Sequence, residues 1–380
     1  MSQLRNPFTP SFGQIPPYLA GRSRIVSDMG RAFDRGPGDP NLSTILVGVR
    51  GTGKTALLSY LAEMALGQGW VSASVTAEEG MLEDILERAV ETGSQFVSSE
   101  GSARVTGVAI GQIFEMTWEY EDGRRGNWRT RMNRLLDEFD RYGVGLLITV
   151  DEVRADVGEM IKLASVYQHF VREGRRVALV MAGLPGNVSS LIGDKSVSFL
   201  RRAFKHRLGR IADYEVEEAL RKTVEASGRR IDDGGLSVAV EAIDGFPYLM
   251  QLVGYRAWDQ HPQADTISEE DVANAVALAR LEMEDRILEA TFYELSEGDK
   301  RILSAMLADG EVSRMADIAM RIGESSGYVS VYKNRLVEAG VVAEKGRGVI
   351  AFAMPGLREY LGKKLPVLVD PDGIGEGKGA

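Results

Sequence analysis

Residues 48–55 have the types and the spacing needed to hold a polyphosphate. They read GVRGTGKT and match the pattern GxxxxGK[ST] without a gap. The glycines let the backbone curl so that its N–H groups face phosphate oxygens. Lys54 supplies a cation for the β- and γ-phosphates, and the Thr55 hydroxyl can ligate Mg²⁺. The predicted contacts to ATP or ADP are Gly48, Val49, Arg50, Gly51, Thr52, Gly53, Lys54, Thr55 and Ala56.

Two acids form the second candidate site. Asp151 and Glu152 directly follow the apolar run GLLITV of residues 145–150. Burying a carboxylate is costly, so acids at the carboxyl end of a strand usually serve a cation or a reaction. Asp151 is predicted to hold Mg²⁺ mostly through water, and Glu152 to orient and deprotonate an attacking water. A plain strand end is the alternative, and the upstream loop favours the catalytic interpretation.

The surrounding sequence predicts the elements that must position these residues. Apolar runs at 42–47, 145–150 and 177–182 are typical of buried parallel strands, and 70–76 alternates as a strand does. Helical periodicity follows each of these runs except the last, and begins after the loop with residues 55–66. Residues 105–120 alternate again and predict an inserted strand or hairpin. The fold class is therefore α/β with a parallel P-loop sheet.

A basic run lies between this sheet and the C-terminal half. Residues 199–211 carry six basic side chains, and an edge strand is predicted to begin just after Arg207. A solvated helix face is one interpretation of such a run, and contact with a phosphate is the other.

The pattern then becomes helical and ends in a different kind of unit. Residues 213–295 predict a small helical bundle, or lid. Three further helices are predicted at 300–307, 315–322 and 326–339, followed by a hairpin at 341–352 that turns on glycines. Three helices and a hairpin in this order predict a winged helix-turn-helix.

The predicted organisation has five parts. They are an N-terminal extended segment with an opening helix (1–41), a P-loop ATPase core (42–212), a helical lid (213–295), a winged helix (296–365) and a disordered tail (366–380).

Composition excludes several other classes of protein. With no cysteine there is no disulfide framework and no thiolate metal site, and the three histidines have no metal-binding spacing. The net charge of −10 argues against nucleic-acid binding over the whole surface. No apolar run reaches ~18 residues, and the N-terminus lacks an apolar signal core, so a soluble cytoplasmic protein without membrane contact is expected.

The order of these parts resembles that of the initiator, or origin-recognition-like, clade of AAA+ ATPases and of the related STAND ATPases. The resemblance covers nearly the whole chain. It extends to uncharacterised bacterial ATP-binding proteins that begin NPF…GR and carry GxRGTGKT. It implies a parallel sheet with the P-loop strand central, then a lid, then a winged helix.

The resemblance also implies roles for residues outside the loop. Gly21 and Arg22 open the first helix, where the family packs this segment against the adenine; a plain helix N-terminus is the alternative. Pro247 matches the GxP of STAND proteins, whose lid stacks a proline near the base. Arg207, and after it Arg202, is the candidate for an arginine that senses the γ-phosphate, in its own subunit or in a neighbour's.

Two family positions do not match. The family usually ends the strand at 177–182 with a polar residue, whereas this chain has Ala182 and Gly183. The family also places an arginine near the start of a lid helix, whereas this helix starts with Pro247 and Tyr248. Both differences bear on turnover and neither bears on nucleotide binding.

Two functions remain open at this stage. The chain is a slow, Mg²⁺-dependent ATPase acting as a switch, or a non-hydrolysing regulator that holds nucleotide structurally. In either case the winged helix binds double-stranded DNA or a protein, including another copy of the chain. Residues 297–365 hold eleven basic and nine acidic side chains, a net charge of +2 against −12 for the rest of the sequence. The candidate DNA contacts are Ser326, Ser330, Lys333, Asn334, Lys345 and Arg347.

Overall fold

Five parallel strands form the central sheet. A computed structural model describes residues 4–11, 13–99 and 127–368. The strands are β1 (Ser43–Val47), β2 (Trp70–Thr76), β3 (Gly145–Asp151), β4 (Val177–Gly183) and β5 (Phe204–Arg207), in the order β2-β3-β4-β1-β5. Because β3 and β4 are apolar along their length, they lie inside the sheet with both faces covered. The predicted α/β fold with a parallel P-loop sheet is confirmed, and the strand predicted at 105–120 lies outside the described residues.

The order of the strands refines two expectations. The P-loop strand β1 is interior, but it lies between β4 and the edge strand β5 rather than in the middle. The edge strand falls within the basic run, with Arg207 as its last residue, rather than after Arg207. An edge strand pairs on one side only and tolerates charged side chains, so its sequence looks like a solvated helix face.

Helices cover both faces of the sheet. They are α1 (Ser23–Arg35), α2 (Lys54–Leu66), α3 (Met81–Ser99), α4 (Trp128–Arg141), α5 (Gly158–Arg172) and α6 (Pro185–Gly193), with a 3-10 segment at Lys195–Arg202. One buried cluster joins α1 and α2 to the sheet, and a second joins α3, α4 and α5 to the opposite face. In the first cluster Trp70 is fully buried and donates its indole N–H to the Phe33 carbonyl at 3.0 Å. The two layers hold the carboxyl ends of the strands at one edge.

A helical segment follows the sheet. It contains α7 (Asp213–Ala226), α8 (Asp233–Ile243), α9 (Pro247–Gln260), α10 (Glu269–Met283), a π-helical segment (Glu284–Leu288) and α11 (Glu289–Tyr293). Two-residue strands, β6 (Arg230–Ile231) and β7 (Thr266–Ile267), pair in parallel between these helices. A capping box fixes the start of α10, because Ser268 and Asp271 each accept a backbone N–H of the other.

The C-terminal unit, residues 296–365, contains helices and a small sheet. Its elements are α12 (Glu297–Met306), β8 (Ser313–Arg314), α13 (Met315–Ile322), α14 (Ser326–Glu338), β9 (Val342–Gly346), β10 (Val349–Phe352) and α15 (Leu357–Lys364). The strands pair antiparallel in the order β8-β10-β9. One buried cluster runs without interruption from Phe8 and the helical segment into this unit. Of the helices in the described ranges, none is both long enough and apolar enough to cross a membrane.

Candidate nucleotide-binding site

A cavity of about 980 Å³ lies at the carboxyl edge of the sheet. Its walls come from the loop after β1, the ends of β3 and β4, the start of α9, the π-helical segment and the N-terminal extended segment. The predicted residues that line it are Arg22, Arg50, Gly51, Thr52, Gly53, Lys54, Thr55, Ala56, Asp151, Glu152 and Pro247. The cavity therefore brings together residues from sequence positions more than two hundred apart.

The loop after β1 needs glycine at two positions. Gly51 and Gly53 have φ of 77° and 81°, in the left-handed region that other residues adopt at a cost. Gly51 also lies against Phe246, because a Cβ there would be 2.6 Å from the ring. Gly53 caps α2, which begins at Lys54. The positive end of the α2 dipole and its free N–H groups therefore face the cavity.

Lys54 sits inside this loop with its charge only partly compensated. Its ammonium donates to the carbonyls of Gly48 at 3.0 Å and Val49 at 2.9 Å. Burial lowers the pKa of Lys54, while Asp151 and Glu152 oppose that shift. A buried cation gains most from an anion brought to it, since water no longer solvates it well.

The two predicted Mg²⁺ ligands are in direct contact. The Thr55 hydroxyl donates to one Asp151 carboxylate oxygen at 2.5 Å, and the Glu152 backbone N–H donates to the other at 2.8 Å. A hydroxyl and a carboxylate are the hard oxygen donors that Mg²⁺ prefers. The residues present therefore fit this ion beside the phosphate loop.

Glu152 has an unusual backbone conformation. Its φ is 52°, and it is exposed on the cavity wall. A non-glycine residue in the left-handed region costs on the order of 1 kcal/mol, and such residues concentrate at functional sites. The strain directs attention to Glu152 independently of the sequence motif.

Arg22 supports the loop from behind. It is only 7% exposed and donates to the carbonyls of Thr52 at 3.2 Å and Gly209 at 3.3 Å. Burial lowers its pKa, and Glu215 opposes the shift. Arg22 thus ties the phosphate loop to the start of the helical segment. Gly21 does not line the cavity and lies against Ile211 instead.

Pro247 lines the cavity as the first residue of α9. The next residue, Tyr248, donates its backbone N–H to the Gly51 carbonyl at 3.2 Å. The start of α9 is therefore attached to the phosphate loop itself.

The N-terminal extended segment forms the far wall. Asn6 donates to the Tyr255 carbonyl at 3.0 Å, and the Thr9 backbone N–H donates to the Gln251 side chain at 3.0 Å. Between them Phe8 is buried directly on Gly254. These contacts fix the segment on α9, so that its following residues face the cavity.

Besides Gly21, four predicted residues lie outside the cavity. Gly48 and Val49 precede the curled part of the loop, and Arg202 and Arg207 are exposed on the other side of β1. The hydrogen bond from Lys333 is the main cause that lowers the pKa of Glu344 on β9, and the charge of Arg207 adds to it, so Arg207 lies in the neighbourhood of β9. Neither arginine lines the cavity of its own chain.

Some cavity residues are absent from the sequence-based set. Asn187 and Ser190 of α6 line the cavity, as do Arg154 and Asp156, which form an ion pair at 2.5 Å. Asn187 follows the strand that ends in Ala182 and Gly183, so its amide reaches the cavity from the next helix. Because proline is typical of the first position of a helix, Pro185 could have placed Asn187 on a helix. No sequence signal indicated that Asn187 lines the cavity.

The C-terminal unit contacts the phosphate loop. Arg50 pairs with Glu294 at 2.8 Å, just before this unit begins. A Cβ on Gly340 would lie 2.6 Å from a Val49 methyl group, so the two backbones approach closely. Helix α14 also packs on α6, where a Cβ on Gly186 would lie 2.6 Å from Glu338.

The predicted DNA contacts lie on α14 and on the β9–β10 hairpin. Ser326, Ser330 and Asn334 are exposed, although the Ser330 hydroxyl donates to the Ser326 carbonyl of its own helix. Lys345 and Arg347 are exposed at the tip of the hairpin. Lys333 is half-buried in an ion pair with Glu344 at 2.5 Å.

The comparisons with solved structures agree with this architecture. The Walker-type ATPase PABY2304 of Pyrococcus abyssi superposes with a TM-score of 0.64 at 14% identity, over 90% of this chain and 96% of that one. The chain has the fold of a P-loop ATPase. The ORC2 protein of Aeropyrum pernix in its ADP form gives a TM-score of 0.50 at 16% identity, over 93% of this chain and 96% of that one.

Sequence comparison covers less of this P-loop protein. A family described as a domain of unknown function (DUF8462) matches residues 285–361, from the π-helical segment into α15. No curated protein matches the chain.

Proposed function

We propose that this chain is a nucleotide-dependent switch: it binds ATP with Mg²⁺, hydrolyses it slowly, and changes the position of its C-terminal unit with the state of the nucleotide. The observation that carries this proposal is the contact between the phosphate loop and that unit. Val49 of the loop touches Gly340 of this unit, and Arg50 of the loop pairs with Glu294, two residues before the unit begins. A change in the loop on binding phosphate would therefore act on the C-terminal unit directly.

Binding of the triphosphate rests on groups that this chain holds in place. The Lys54 ammonium and the N–H groups at the start of α2 would take the phosphate oxygens. Thr55 and Asp151 would hold Mg²⁺, which would neutralise part of the phosphate charge. Arg22 keeps the loop in shape through the Thr52 carbonyl.

Hydrolysis would depend on Glu152. Its carboxylate would accept a proton from a water molecule whose oxygen attacks the γ-phosphorus, and the bond from that phosphorus to the β-phosphate oxygen would break to leave ADP. Asn187 offers an amide in the same cavity, four residues beyond the strand end where a polar residue was missing.

The second candidate is a regulator that holds nucleotide without hydrolysing it. The apolar end of β4, at Ala182 and Gly183, favours this version, whereas the strained and exposed Glu152 favours hydrolysis. In both versions the C-terminal unit acts as a winged helix toward DNA, a protein or a second copy of the chain.

Phosphate release separates the two candidates. We expect slow release by the unaltered protein and a loss of ~10²–10⁴-fold in Glu152→Gln, because the amide keeps the shape but cannot accept the proton. ATP affinity should persist in that variant. If both proteins release phosphate at the same rate, the base lies elsewhere; if neither releases any, the regulator without hydrolysis is supported.

A further inference from the structure

The π-helical segment after α10 places an arginine on the wall of the nucleotide cavity. Arg286 lies within Glu284–Leu288 and lines the cavity together with its neighbour Ile287. A π-helical turn widens a helix by one residue and often occurs at functional sites.

Arg286 lies near the phosphate loop, and its contacts there leave part of its side chain accessible. It pairs with Glu282 at 3.2 Å, and its side chain remains 54% exposed. It also hydrogen-bonds to Tyr248, which raises the pKa of Arg286. The backbone N–H of Tyr248 in turn donates to the Gly51 carbonyl. The guanidinium is therefore one side chain away from the loop.

The partners of Arg286 leave it able to change contact. Glu282 is only 17% exposed and has a second partner in Arg256. It therefore keeps a cation beside it if Arg286 moves away. An arginine can take phosphate oxygens through two N–H groups at once, which makes it well suited to a phosphate.

We propose that Arg286 binds the terminal phosphate of a bound nucleoside triphosphate and thereby distinguishes ATP from ADP. This inference rests on the proposed function of the cavity. It supplies, from another place in the chain, the cation that the start of α9 lacks at Pro247 and Tyr248.

The position of Arg286 also links the nucleotide cavity to the C-terminal unit. Eight residues further along, Glu294 pairs with Arg50 of the phosphate loop. The segment between them leads directly into the C-terminal unit. A movement of Arg286 toward the terminal phosphate would therefore shift the stretch of chain that joins the helical segment to that unit.

The test compares ATP and ADP affinities by calorimetry with Mg²⁺ present, in a Glu152→Gln background that prevents turnover. Arg286→Ala should weaken ATP binding about tenfold and ADP binding by less than about twofold, a tenfold change being about 1.4 kcal/mol. The matched control is Arg280→Ala, an exposed arginine of α10 outside the cavity, which should change neither affinity. Arg286→Lys keeps a cation and should recover part of the preference for ATP.

The outcomes distinguish a failure of this inference from a failure of the proposed nucleotide site. If Arg286→Ala weakens ATP and ADP equally, or neither, while Lys54→Ala weakens both, only the role of Arg286 is overturned. If Lys54→Ala leaves both affinities unchanged, the nucleotide site itself is wrong. Equal melting temperatures of Arg286→Ala and Arg280→Ala would show that folding is not the cause of a difference.

Discussion

Lys54 is the residue on which nucleotide binding should depend most. Its ammonium is buried among loop carbonyls, with Asp151 and Glu152 as its nearby opposite charges. A charge-assisted contact in such a site is worth ~1.5–3 kcal/mol. We therefore expect Lys54→Ala to weaken ATP affinity by at least about tenfold in equilibrium binding.

The control for this prediction is Lys162→Ala on α5. Lys162 is exposed and does not line the cavity, so its loss should leave ATP affinity unchanged. Equal affinities of Lys54→Ala and the unaltered protein, with both shown to be folded, would remove the phosphate-loop assignment.

The backbone of Glu152 makes a prediction about stability as well as activity. Because its φ is 52°, glycine should fit this position with less strain. Glu152→Gly should raise the free energy of unfolding by about 1 kcal/mol, because the backbone strain is relieved. It should also abolish hydrolysis, because the carboxylate is lost. Thermal unfolding and phosphate release measure the two effects.

Asp244 is a matched control for that trade-off. It is the other described non-glycine residue with a positive φ, 49°, and it ends α8 away from the cavity. Asp244→Gly should stabilise the fold by a similar amount, because its exposed pair with Arg210 is worth little, and it should leave hydrolysis unchanged. A destabilised Glu152→Gly would contradict the idea that strain is stored at that residue.

At the scale of elements, the packing of α14 on α6 joins the C-terminal unit to the sheet. Gly186→Ala would bring a Cβ to 2.6 Å from the Glu338 Cβ and 3.1 Å from its carbonyl oxygen. Overpacking of this kind costs ~1–3 kcal/mol. We expect a lower melting temperature and faster amide hydrogen exchange in α14.

Gly193→Ala provides the comparison within the same helix. No atom lies within 4 Å of a Cβ at Gly193, so that substitution should leave exchange in α14 unchanged. If Gly186→Ala behaves as Gly193→Ala does, the contact between α6 and α14 contributes nothing to docking.

The sequence was sufficient for the long elements because each carries a sustained pattern. The apolar runs that became β3 and β4, and the helical periodicity of α9, were placed within one or two residues of their observed ends. The two-residue strands β6 and β7 were missed, since two residues carry no periodicity. The π-helical turn was missed because its sequence continues the α-helical pattern.

For the site, the sequence was sufficient where a motif fixes spacing. The loop with Lys54 and the pair Asp151 and Glu152 meet in one cavity, as expected from strands that end at a common edge. Arg286 and Asn187 were missed because their positions depend on how distant elements pack, which no local pattern records. Arg207 was favoured from the resemblance, and the structure places it as the exposed last residue of β5, outside the cavity.

At the scale of the whole molecule, the C-terminal unit could meet DNA through its hairpin. Lys345 and Arg347 are exposed, whereas Lys333 is already paired with Glu344. Duplex binding is driven largely by counterion release, at ~0.9 per phosphate contact in the slope of log affinity against log salt. Lys345→Ala/Arg347→Ala should therefore lower that slope by ~2, and Lys333→Ala should lower it less.

A salt titration with a mixed-sequence duplex, with and without ATP, measures these slopes. Three equal slopes would place any DNA contact elsewhere on the chain. Absence of binding at ~50 mM salt in every nucleotide state would favour a protein partner for the C-terminal unit.

The central claim is that the nucleotide moves the C-terminal unit against the sheet. The chain has no cysteine, so two introduced cysteines carry spin labels without interference. Glu91 on α3 and Glu359 on α15 are exposed and lie in the two parts, and Glu91 with Lys162 gives a control pair within one part. The Glu152→Gln background keeps ATP intact during the measurement.

Distance distributions between the labels at 91 and 359 test that claim most directly. We expect the distribution with ATP to differ from that with ADP by at least about 5 Å, the rise of one helical turn, while the pair at 91 and 162 does not change. Identical distributions for the first pair with ATP and with ADP, each bound at saturation, would contradict the switch.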